Sequence, residues 1–183
     1  MTAIIQAPEF SRLVDVADLS DGGIEFDIEA SAEERQALAR RFELQGIETL
    51  TAHIGLFRIG GSAAMPMVRV KARFQADVVQ TCVVTLEPVA AHVEDAAVVD
   101  FTPPVGPEPR QISILVDEVD PPEPLLGNQI DVGEVVAEHL ALALDPYPRK
   151  PGAAFEPAGE TDNRAGRDVG GPFAALRSLK PGK

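Results

Sequence analysis

From Val68 to Asp77 apolar and polar side chains alternate without a break. Val68, Val70, Ala72, Phe74 and Ala76 fall on one side, and Arg69, Lys71, Arg73, Gln75 and Asp77 on the other. Successive side chains of a strand point to opposite faces of a sheet, so this period of two predicts a half-buried strand with a basic outer face. The pattern stumbles at Val78-Val79-Gln80, where a bulge or bend fits, and then runs on from Thr81 to Pro88, placing Cys82 in one row with Val84 and Leu86. A second alternating run, Val89, Ala91, Val93, Ala97, Val99 and Phe101, predicts an antiparallel partner turned near Glu87-Pro88.

Upstream, Phe10 to Leu19 reads as a strand, and Ser20-Asp21-Gly22-Gly23 supplies the residues a reversal needs. Ile24, Phe26 and Ile28 alternate with Glu25, Asp27 and Glu29, which predicts a first hairpin with an acidic outer face. Ser31 and Glu34 have the spacing of a capping box, and a helix follows to about Leu44, with Gly46 suited to a left-handed terminator. Residues 47–59 turn extended again and lead through Gly60-Gly61-Ser62 into the central strand as a second hairpin.

After Phe101 a Pro-rich connector precedes a short strand with Ile112, Ile114 and Val116 on one side, then an acidic, Pro-rich loop from Glu118 to Gln129. Asp131 and Glu134 repeat the capping spacing before a helix with Val132, Val135, Val136, Leu140 and Leu142 on a broad apolar face, halted at Pro146-Tyr147-Pro148. Beyond residue 150 the composition becomes Gly, Pro, Ala and scattered charge, which predicts a flexible tail over 151–183. Within it, Phe173, Leu176 and Leu179 mark a short amphipathic segment at 172–180. The expected organisation is one α+β domain over 1–150. Its sheet is mainly antiparallel, curled and partly barrel-like, with about six strands, and carries two helices and the tail.

Composition changes the functional picture more than the fold. The net charge is −13, unevenly spread: residues 1–101 carry 16 acids and 8 bases, 102–148 carry 9 and 1, and 149–183 carry 4 and 7. An acidic body repels phosphate at long range and favours basic partners. A single cysteine forms no internal disulfide, no apolar run is long enough to cross a membrane, and the first residues lack the form of a signal peptide. The expected location is the cytoplasm, with no membrane partner. With no Trp and one Tyr, platforms for stacking single-stranded bases are few.

The chemistry on offer is sparse. Cys82 reads as a buried structural thiol, and His53, His92 and His139 lack the neighbours of metal ligands, so neither a metal, a cofactor, a small-molecule substrate nor a catalytic residue is expected. Asp117, Glu118, Asp120 and Glu123 lack the pattern of a calcium loop and read as a solvated rim. What remains is the row Arg69, Lys71 and Arg73, with Arg58 expected beside it. This is an ordinary solvated face or a strip for phosphates, since side chains two apart on a strand stand about 7 Å apart.

The order of the pieces resembles the YceD family, whose members are named for accumulation of 23S ribosomal RNA. The resemblance rests on Gln80-Thr-Cys82-Val-Val-Thr85-Leu86-Glu87-Pro88-Val89, on Asn128-Gln-Ile-Asp131-Val-Gly-Glu134-Val-Val136, on Leu140-Ala-Leu-Ala-Leu-Asp-Pro146-Tyr147-Pro148, and on Pro172-Phe-Ala-Ala-Leu176-Arg-Ser-Leu179-Lys180. Many members carry a second cysteine three positions after the first. Here that position is Thr85, so a Cys-x-x-Cys role does not operate in this chain.

The resemblance implies a non-enzymatic helper in large-subunit production that binds 23S ribosomal RNA, a subunit precursor or a basic ribosomal protein. RNA would be met by Arg58, Arg69, Lys71 and Arg73 with the bases Arg149, Lys150, Arg164 and Arg167, and a basic protein by Glu25, Asp27 and Glu29 with Glu118, Asp120 and Glu123. The alternatives are a scaffold that recruits a partner through its tail and, further off, a small hydrolase.

Overall fold

The alternating run of residues 68–77 folds as part of the middle strand of a five-stranded sheet. In the computed structural model, which describes residues 8–17, 19–20, 22–62, 65–104 and 121–154, the elements in chain order are β1 (Leu13–Asp15), β2 (Ile24–Glu29), α1 (Ala32–Arg41), β3 (Gly46–Ser62), β4 (Met65–Thr81), β5 (Pro88–Thr102), β6 (Glu123–Pro124), β7 (Gln129–Asp131) and α2 (Val132–Ala143). The chain divides into two units, Met1–Pro151 and Gly152–Lys183, and these elements all belong to the first. The short strand expected at 112–116, Glu118 and Asp120 of the acidic loop, and the tail from 155 with Arg164, Arg167 and the 172–180 segment lie outside the described residues.

The sheet has the order β2-β3-β4-β5-β6, antiparallel except for the parallel β5–β6 pair, and a separate two-stranded ribbon joins β1 to β7. It is an open sheet, with β2 and β6 at its edges, in place of the six-stranded, partly barrel-like form expected. The first expected hairpin also does not form. β1 pairs with β7, Leu13 facing Asp131, whereas β2 pairs with β3, Ile24 facing Leu56. The apolar residues of the segment that reads as one long strand, Phe10, Val16 and Leu19, are buried all the same, so the pattern reported burial correctly and the pairing partner wrongly.

Every even-numbered residue from Val68 to Cys82 is buried, including Val78 and Gln80, so β4 carries no bulge at 78–80. The irregularities sit in β3 instead, between Ile47 and Thr49 and between Arg58 and Gly60. The β4–β5 turn occupies residues 82–87. Cys82 therefore ends the buried row of β4, while Leu86 is 75% exposed and takes a positive φ of 60°. The amide of Gln80 reaches the Asp145 carbonyl at 2.9 Å, which lets a polar residue continue an apolar row.

Both helices lie on the even-numbered face of β3 and β4. Leu38 and Ala39 of α1 and Val132, Val135, Val136, Ala137 and Leu140 of α2 pack with Leu50, Ile54, Leu56, Val70, Phe74 and Val78 in one core. The capping box of α1 is complete: Glu34 N donates to Ser31 Oγ at 3.3 Å, and Ser31 N to the Glu34 carboxylate at 2.8 Å. The helix ends at Arg41 rather than near Leu44, and the left-handed residue after it is Glu43, φ 57°, because Gly46 already begins β3.

At α2 only half of the expected box forms. Asp131 accepts from the amides of Gly133 and Glu134, but the Glu134 side chain turns away to Arg41 of α1, at 2.8 Å.

Candidate binding face of the sheet

With the helices on one face, the odd-numbered residues of β2, β3 and β4 and the even-numbered residues of β5 make up the other, and register assigns each its neighbours. Phe57, Arg69 and Asp100 share one rung; Glu25, Gly55, Lys71 and Val98 the next; then Asp27, His53, Arg73 and Ala96; then Glu29, Thr51, Gln75 and Glu94; then Thr49, Asp77 and His92. The acidic row of β2 and the basic row of β4, candidates for two different partners, thus stand on one face, two strands apart.

The basic row is weaker than its sequence spacing suggests. Arg69 is held by Asp100 through two contacts of 2.7 Å, a paired geometry that occupies the guanidinium fork and draws the Asp100 carboxyl below its ordinary pKa. Lys71 Nζ lies 5.3 Å from the ring centre of Phe57, a cation–π contact. Arg73 is exposed beside His53 and Asp27.

Arg58 does not join the row. Its partner in register is the buried Val68, so it points to the helix side, where its Nη2 donates to the Leu19 carbonyl at 2.9 Å and its Nε is buried without a partner among the described residues. The bulge that displaces Ile59 begins only after Arg58, which therefore keeps the parity of Leu56.

Arg149 is exposed, and Lys150 bonds Glu87 at 3.0 Å near the β4–β5 turn, away from the row. Glu123 lies on β6, at the opposite sheet edge from Glu25, Asp27 and Glu29. The candidates that do converge are Lys71 and Arg73 with the β2 carboxylates. Between them runs a shallow groove of about 970 Å³ lined by Asp27, Glu29, His53, Arg73, Gln75 and Glu94.

Sequence reasoning missed three participants on this face. His53 Nδ1 meets Asp27 Oδ1 at 2.8 Å, and His92 Nδ1 meets Asp77 Oδ1 at the same distance, an arrangement that, with Thr49, lowers the Asp77 pKa. Phe57 sits beneath Lys71. The signal for all three was their parity, odd for His53 and Phe57 on β3 and even for His92 on β5, readable only once register is known.

Cys82 lies apart from the face. Its sulfur accepts the amides of Lys150 and Thr85, each at 3.4 Å. The Lys150 amide foremost, then Thr85, bring the thiol down to about 6 against the opposing effect of burial. Among the described residues no three His, Cys, Asp or Glu side chains converge as a metal site, and no helix is long and apolar enough to cross a membrane.

The motif at the start of α2 has a structural explanation in full. Ile130 and Val132 are buried. Asp131 accepts Ser11 Oγ at 2.6 Å and Arg12 N at 2.7 Å while capping its helix, and Glu134 pairs with Arg41. Gly133 is pressed against β1's approach, where a Cβ would lie 2.5 Å from the Phe10 carbonyl oxygen.

This motif and the Cys82 turn fall within residues 70–180, where the chain matches the model of the large ribosomal RNA subunit accumulation protein YceD. The chain belongs to the YceD family. The match covers more than half of the chain, from within β4 to beyond the described residues, and membership ties the protein to accumulation of large-subunit ribosomal RNA. No match was found among curated proteins or among solved structures. Within the YceD match, the quoted residues at the turn and at the α2 start serve to hold α2 against the sheet and β1. They leave the outer face, most of whose charged rows precede or begin the match, as the place to look for a partner.

Proposed function

We propose that this YceD-family protein is a non-enzymatic accessory factor of large-subunit assembly in the cytoplasm, and that it supports ribosomal RNA accumulation by holding a basic ribosomal protein on the outer face of its sheet. The observation that carries this reading is the charge of that face. Glu25, Asp27, Glu29, Asp77, Glu94 and Asp100 stand against Arg69, Lys71 and Arg73, and Arg69 is already committed to Asp100. Six carboxylates against three bases make a surface that repels phosphate and attracts cations. The non-enzymatic part of the reading is supported by Cys82, whose hydrogen-bond partners among the described residues are the backbone amides of Thr85 and Lys150 rather than an acid or a histidine.

A second reading, direct contact with 23S ribosomal RNA, is favoured by Lys71 over Phe57 and by the exposed Arg73 and Arg149. One titration separates the two. Reversing Glu25, Asp27 and Glu29 to Lys abolishes binding of purified basic large-subunit proteins and leaves a 23S RNA transcript bound no more weakly. Replacing Lys71 and Arg73 by Ala does the opposite if RNA is the partner, lowering both the affinity and its salt dependence.

A further inference from the structure

Strand β2 is an edge of the sheet, and its other side pairs with nothing among the described residues. None of the backbone groups of residues 24–28 that face away from β3 bonds another described residue. Only at the end of the strand is the edge closed, where Arg12 Nη2 donates to the Glu29 carbonyl at 2.9 Å. An open row of main-chain donors and acceptors is a template for one more strand.

The two faces of β2 specify what that strand would carry. On the outer face Glu25, Asp27 and Glu29 recur at every second position, and of the three only Asp27 has a described side-chain partner, His53. On the helix face exposure falls along the strand, with Ile24 37% exposed, Phe26 half-buried and Ile28 at 8%. The core is therefore incompletely covered where the edge is open.

Resting on the reading of a basic protein partner, we infer that β2 takes up an extended segment of that partner as an additional strand, with Lys or Arg at every second position and apolar residues between. Directly opposite side chains on paired strands stand about 5 Å apart, so each base meets a carboxylate, while the apolar residues cover Ile24 and Phe26. A second copy of β2 fits badly, because antiparallel pairing centred on Asp27 sets Glu25 against Glu29 and Asp27 against itself. RNA offers no backbone amides for such a ladder, and the carboxylates reject its phosphates.

The test uses the full chain and a capped peptide of roughly eight alternating lysines and valines, long enough to span a short strand. Two controls are the same composition with the lysines grouped and the same peptide N-methylated at alternate residues. Strand addition predicts that the alternating peptide slows amide hydrogen exchange at residues 24–28, that both controls bind weakly, and that Glu25→Lys with Asp27→Lys and Glu29→Lys weakens binding roughly tenfold. Equal binding of the N-methylated peptide, or unchanged exchange at residues 24–28, overturns it. If purified basic large-subunit proteins bind while the peptide leaves β2 unprotected, strand addition falls and the basic-partner reading stands. If neither binds, both fall.

Discussion

Arg69 on β4 and Asp100 on β5 face each other across the sheet and are joined by two contacts of 2.7 Å, which removes the first residue of the basic row from service as a phosphate ligand. Asp100→Asn releases it. If RNA is the partner of this face, the variant binds a 23S RNA transcript more tightly than the parent, with a salt slope steeper by about one, since one more guanidinium is available to displace counterions. Filter binding across a salt series reads the change, and an unaltered slope contradicts the assignment.

Glu34 carries two structural duties. Its carboxylate accepts Arg12 at 2.6 and 2.9 Å and closes the capping box with Ser31, and together these lower its pKa to about 2, the Arg12 hydrogen bond being the largest cause. Its folded pKa lies below its unfolded one, so the stabilisation is present above about pH 4.5 and is lost as the pH falls toward 2. Glu34→Gln is expected to cost about 1 kcal/mol at neutral pH, as loss of a cap does, with the difference from the parent vanishing at the acid end of a urea-denaturation series.

Gly133→Ala places a methyl group 2.5 Å from the Phe10 carbonyl oxygen and 3.0 Å from the Arg12 amide nitrogen, both backbone atoms. Neither can swing aside as a flexible side chain does, so α2 must back away from the segment that Asp131 ties down. The expected loss is about 2 kcal/mol or more by thermal or urea unfolding. Ala substituted at the exposed Gly22, which has open space around it, serves as the control.

Cys82 is expected to titrate with an apparent pKa near 6, followed through thiolate absorbance. Lys150→Pro deletes the amide that contributes most and is expected to move the titration upward. Alkylation of the native thiol stays slow even when it is ionised, because the side chain is fully buried. Rapid alkylation, or a titration that Lys150→Pro does not shift, contradicts this geometry.

The sequence by itself determined which side of most segments meets the core, though Leu86 and Leu142, both expected on apolar rows, are 75% and 80% exposed. Leu86 falls in the β4–β5 turn, and Leu142, two residues along α2 from the buried Leu140, is turned away from it by the helix. Period-two alternation held from Val68 through Cys82, past the bulge expected at 78–80, and Ser31 capped α1 as its spacing with Glu34 requires, because parity and caps are local consequences of backbone geometry. Pairing is not local. A strand signal over residues 10–19 contains no information about whether its hydrogen bonds go to residue 24 or residue 131, and the choice fell to β7 because Asp131 satisfies Ser11 and Arg12 together. The tertiary structure likewise decided that the acidic and basic rows share one face, that Asp100 claims Arg69, and that Arg58 turns inward with Leu56. Each outcome follows from strand register, a relation between distant residues that hydrophobic periodicity leaves free.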